Sequence, residues 1–131
     1  AVMDSPKTAA EAIVLLIHRA HTYLRFAAAH TKRWRAVFDH RLPEKRELPE
    51  QYRNLQQRLF TFIEQPLRIL SPNLSQERFA LLARSLFSAM HGMALLGLEE
   101  KLGAISLKDL EEQMAVILTT LGTGFASQLP H

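Results

Sequence analysis

Two histidines, His18 and His21, stand three residues apart, a spacing that brings both rings to one side of a helix and within reach of a single metal ion. No third ligand is close in sequence and Glu11 lies two turns away, so they read as a solvated or half-buried pair and no metal is expected. Lys32-Arg33-Trp34-Arg35 mixes cations with an aromatic ring, the composition of a nucleic-acid contact, although basic runs on short helices are more often simply solvated. His91 is open to two readings: a ring satisfied by a neighbouring carbonyl, or a donor to a ligand or a partner subunit. Glu99-Glu100 and Glu111-Glu112 are carboxylate pairs, but adjacent residues on a helix point apart and suit solubility better than acid–base work. There is no phosphate-cradling glycine loop, no nucleophile elbow and no cysteine. The expectation is a protein with no catalytic residue and no cofactor.

The chain that must position these groups has 131 residues, enough for one domain over residues 1–131 with a core that needs no disulfide or metal staple. The longest unbroken apolar runs, such as 12–17, are too short to span a bilayer, so the reading is of a soluble, cytoplasmic protein without a membrane partner. The chain opens Ala-Val-Met and reads as a piece of something longer. Its net charge of +3 is concentrated between His30 and Glu47, a segment that alone carries the whole excess.

No stretch alternates with period two, so no strand is expected and the fold class is all-α. Asp4-Ser5-Pro6 signals a helix start, with Ser5 as cap, and the helix runs to about Ala29 with Ala9, Ile13, Leu16, Ala20, Leu24 and Ala27 as its apolar stripe. A short basic helix is expected over 33–40 and a charged loop over 43–48. Pro49 opens a third helix with Tyr52, Leu55, Leu59, Phe62 and Ile63 inward, interrupted by a kink at Pro66. Ser75 caps a fourth helix reaching Leu98. Gly103 suits a left-handed turn, and Ser106-Leu-Lys-Asp109 caps a fifth helix, ending near Ala126, with the stripe Leu107, Leu110, Met114, Ile117, Leu121 and Phe125.

The fourth helix is apolar over far more than the stripe of about 100° that a peripheral helix needs. It is therefore central in its own bundle or pressed from both sides. Gly92 costs roughly 1 kcal/mol relative to Ala within a helix and is kept where another backbone comes close; Gly122 and Gly124 repeat the feature on the fifth helix. The last two helices, paired antiparallel, then make half of a four-helix bundle completed by a second copy, with Ser88, His91, Gly92, Leu95, Val116, Thr120 and Gly124 at the seam. Tyr23, Phe26, Ala27, Trp34, Phe38, Leu59, Phe62, Ile63, Phe87 and Met90 are candidates to surround an apolar ligand, if the bundle is held open.

Tyr23-Leu-Arg-Phe26-Ala27, then His30, Trp34 and Phe38, and later Leu86-Phe87-Ser-Ala-Met-His91-Gly92, resemble the C-terminal regulatory domain of TetR-type transcriptional repressors. The closest likeness is to the group with a Trp-x-x-x-His-Gly type signature, where Phe87 stands near the usual Trp. The resemblance covers nearly the whole chain. It implies an antiparallel bundle of about five helices that dimerises through its last two and holds a small apolar or amphipathic effector among the others. It also implies a DNA reader of roughly 55 to 60 residues ahead of Ala1, so that no residue of this chain contacts DNA. The rival reading is a helical protein-interaction domain with a solid core and no small-molecule role.

Overall fold

The computed structural model describes residues 5–32, 34, 50–99 and 103–127, with backbone only at 51, 52, 55 and 56. Four helices are described: α1 (Ala9–Ala29), α2 (Glu50–Leu70), α3 (Gln76–Leu98) and α4 (Leu107–Ser127). There is no strand among the described residues. The short helix expected over 33–40 lies outside them, apart from one turn in which the Trp34 amide bonds the His30 carbonyl. Phe38, and the side chains of Tyr52 and Leu55, also fall outside.

The start of α1 differs from expectation. Thr8, not Ser5, is the cap: its hydroxyl accepts the Glu11 amide proton at 3.1 Å, and Thr8-x-x-Glu11 is itself a capping-box pattern. The other ends follow their local signals. Ser75 accepts from the Arg78 amide, Ser106 from the Asp109 amide, and Gly103 takes a positive φ of 98°.

The kink expected at Pro66 does not interrupt α2, which continues to Leu70. Proline there lacks an amide proton and so leaves the Phe62 carbonyl, four residues back, without its helical donor. Arg19 of α1 supplies one: its guanidinium donates to the Phe62 carbonyl at 2.7 Å and to Gln65 at 3.0 Å. The same guanidinium lies over the Phe62 ring, 5.5 Å from its centroid. Phe62 is thereby turned to the surface at 43% exposure instead of into the core, and the buried stripe of α2 is Leu59, Ile63, Leu67 and Leu70.

The central helix is α1, not α3. It packs mainly against α2 and α4 and buries Ala12, Leu15, Leu16, Ala20, Tyr23, Leu24 and Ala27. A second polar tie joins it to α4. His21 Nε2 donates to the Glu111 carbonyl at 2.8 Å, and Arg25 bonds both oxygens of the Glu111 carboxylate at 3.1 and 3.3 Å. The hydrogen bond from Arg25 holds the Glu111 carboxyl below the usual carboxylate range, against an opposing push from burial.

The stripe of α4 is rotated from the expected one. Leu110, Met114, Leu118 and Gly122 are buried, while Leu107 and Ile117 are left exposed. Glycine explains the rotation. A Cβ at Gly122 would lie 2.7 Å from Ile13 Cγ1, so α4 meets α1 through its smallest residue. Gly97 plays the same part where α3 meets Leu110 of α4.

Candidate functional site

Along α3 the buried residues are Phe79, Ala83, Leu86, Phe87, Met90, Ala94 and Gly97, a single helical stripe. The rest of an apolar helix is left outside, with Leu81 at 58% exposure and Leu96 also exposed. By length and composition α3 is apolar enough to cross a membrane, with mean hydropathy 1.4 over 18 residues; the unbroken runs read from sequence understate it, because isolated polar residues divide them. Its inner stripe is nonetheless part of the core shared with α1, α2 and α4.

The inner face of α3 carries a polar relay. Trp34 is 1% exposed, and its indole N–H donates to Tyr23 Oη at 2.7 Å. Tyr23 Oη lies a further 2.7 Å from His91 Nδ1. An indole N–H only donates, so Tyr23 is the acceptor there; which way the proton lies between Tyr23 Oη and His91 Nδ1 depends on the tautomer of the imidazole. Phe87 meets Tyr23 edge-on at 5.4 Å, lies nearly parallel to His91 at 6.2 Å, and takes Phe60 edge-on at 5.0 Å. Three polar groups from three segments are thus satisfied inside an aromatic and aliphatic cage.

Of the ten pocket candidates, Tyr23, Ala27, Trp34, Leu59, Ile63, Phe87 and Met90 lie together in this core. Phe26 is half-buried against the His30 ring. Phe62 faces out, for the reason given by Pro66 and Arg19. Two clefts beside α2 are open ones: one is lined by Phe60 and Ala83 among others, the other by Arg58 and Phe62.

The seam candidates divide differently. Ser88, Val116, Thr120 and Gly124 are exposed, and Gly92 and Leu95 are partly so. His91 is partly exposed as well, and its Nδ1 lies 2.7 Å from Tyr23 Oη. A Cβ at Gly92 or at Gly124 would meet nothing within 4 Å, so among the described residues neither glycine is needed for a close approach. The outer stripe on α3 runs Leu81, Ser85, Ser88, Gly92 and Leu96; that on α4 runs Val116, Ile117, Thr120 and Gly124. Leu81 and Leu96 are not among the seam candidates and Ile117 belongs to the expected inward stripe, although their spacing with Ser88 and Thr120 carries the signal.

Hydroxyls on these stripes are turned back on their own helices. Ser85 donates to the Leu81 carbonyl, Ser88 to Arg84 and Thr120 to Val116, each four residues back. What faces outward is therefore mostly carbon. No group of three or more His, Asp or Glu able to hold a metal is found among the described residues.

No curated protein matches the chain. Residues 16–121, which include α1 from Leu16, all of α2 and α3, and α4 as far as Leu121, match the family described as tetracyclin repressor-like, C-terminal domain. By that match over most of its length, the chain belongs to the TetR-like C-terminal domain family.

Proposed function

We propose that this domain binds an effector and joins two copies of a soluble, cytoplasmic TetR-like transcriptional regulator, and that it is regulatory rather than catalytic. One observation carries the reading: α3 and α4 each bury one stripe and present a second, carbon-rich stripe centred on unused glycines. A second copy laid against those stripes gives a four-helix bundle and covers what one chain leaves exposed. Small residues there let backbones approach closely.

Control follows from linkage. Effector binding among α1, α2 and α3 shifts the population between two arrangements of the dimer, and with it the spacing of two DNA readers, which must stand about 34–36 Å apart to enter successive major grooves. Only an effector with unequal affinity for the two arrangements has any effect. The direct test is light scattering coupled to size exclusion at micromolar concentration. A dimer is expected; a monomer removes the reading.

A second reading, a solid-core helical interaction domain, draws on the packing itself. Trp34 is buried against Tyr23 of α1 and His91 of α3, and the clefts beside α2 are open to the surface. Saturable thermal stabilisation by any small molecule favours the effector reading over it.

A further inference from the structure

We propose that one turn of α1, from His21 to Arg25, is a bracket that sets the two seam helices against each other, and so controls the pairing of two copies from outside the seam. The inference rests on the dimer reading above and specifies what regulates it.

Side chains on this turn reach two different helices. Tyr23, 4% exposed, places its hydroxyl 2.7 Å from Nδ1 of His91 on α3. His21 Nε2 lies 2.8 Å from the Glu111 carbonyl of α4, and the Arg25 guanidinium bonds both oxygens of the Glu111 carboxylate. Successive residues of a helix are turned by about 100°, so His21 and Arg25 share one side of α1 and Tyr23 takes the other. The helices they hold, α3 and α4, are the two that carry the outer stripes.

Both ties fall where they decide a face. Helix α3 has a mean hydropathy of 1.4 over 18 residues, so turning it by one residue exchanges one apolar face for another at little cost in burial. A hydrogen bond is directional and does not survive such a turn. With His91 held at Tyr23, Gly92 is carried about 100° further round, into the outer stripe between Ser88 and Leu96. The ends of α3 are held separately, by Arg68 lying over Phe79 at 4.5 Å and by Gly97 against Leu110; the Tyr23 contact falls between them, at the middle of the stripe. On α4, holding Glu111 toward α1 leaves Val116 and Thr120, about 140° and 180° round the axis, on the outer side. The two stripes thus keep their relative rotation while α1 keeps its place between them. Anything that shifts α1 by part of a turn loosens both ties, and the fit of both stripes to a second copy goes with them.

Sedimentation of the whole chain, with helicity followed by circular dichroism, tests the bracket through variants remote from the seam. Tyr23→Phe is expected to weaken pairing about tenfold, although residue 23 is buried and belongs to neither stripe. Arg25→Met and Glu111→Gln are each expected to weaken it about threefold, and no further when combined, because both remove the same tie. Leu24→Ala, on the same turn and fully buried, removes packing but no tie. Where that variant is folded, its pairing should stay within about twofold of the native value. Native-like pairing in Tyr23→Phe and in Arg25→Met overturns the proposal. So does equal weakening by Leu24→Ala, which would mean that any loosening of α1 suffices. Should Tyr23→Phe not fold, Arg25→Met decides alone, since its side chain is 61% exposed. A native chain that is monomeric removes the dimer reading itself, and the bracket with it.

Discussion

Helices α1 and α3 each bury seven residues, but they differ in what they leave outside. On α1 the remainder is largely polar and is put to use: Arg19 reaches α2, and His21 and Arg25 reach α4. Val14 is its one large apolar side chain left exposed among the described residues. On α3, beyond its charged first turn and Arg84, the remainder is largely apolar, its serines bond their own backbone, and a Cβ at Gly92 would meet nothing within 4 Å among the described residues. A helix whose surplus surface is polar completes its contacts within one molecule. A helix whose surplus is carbon needs a wall from elsewhere, and domains of this family are ones that dimerise.

The largest test of this contrast is Leu24→Ala in α1, at a fully buried position. It should cost about 2–5 kcal/mol in urea unfolding, and the loss should persist at protein concentrations too low for association. Gly92→Leu on α3 should do the opposite. Its side chain enters open space in the single chain, so the fold is retained, while the dimer weakens by about 2 kcal/mol, roughly 30-fold in dissociation constant by sedimentation. Unchanged association would mean that the outer stripe of α3 is not the seam.

A smaller effect probes the polar surplus of α1. Arg19→Met should cost about 1 kcal/mol in the native background. With Pro66→Ala already in place, the Phe62 carbonyl regains an amide donor from its own helix, and the same change should cost less than half as much; equal costs in the two backgrounds would break the link between Arg19 and Pro66.

The smallest effect concerns pH. Glu111 has its carboxyl lowered by Arg25, so its contribution to stability is complete above the ordinary carboxylate range and fades as pH falls through the lowered folded value. Glu111→Gln should lower the neutral plateau of a melting-temperature profile slightly and leave its acid end almost unmoved, so that the acid limb is flatter. Both side chains reach solvent, so the change is modest.

Much of the fold was legible from local signals. Ser75 and Ser106 act as caps, Gly103 turns left-handed, and α1 and α3 stop at Ala29 and Leu98 as their patterns indicate. The misplaced start of α1 had its signal too, in Thr8-x-x-Glu11, which competed with the equally good Ser5-Pro6. The candidate site was legible only as a collection of residue types. Tyr23 and Trp34 are 11 residues apart and Tyr23 and His91 are 68 apart, and no periodicity links them.

The sequence alone thus determined an all-helical chain, where most of its helices begin and end, and that it carries more apolar surface on its last two helices than a peripheral helix requires. Capping, turn chemistry and helical periodicity are short-range effects, complete within a few residues. Only the tertiary structure decided which face of each apolar helix turns inward: Phe62 out under Arg19, His91 in against Tyr23, Gly97 and Gly122 packed, Gly92 and Gly124 left open. When several faces are equally apolar, burial energy does not distinguish them, and the choice falls to where neighbouring helices cross closely enough to demand a glycine or supply a missing hydrogen bond.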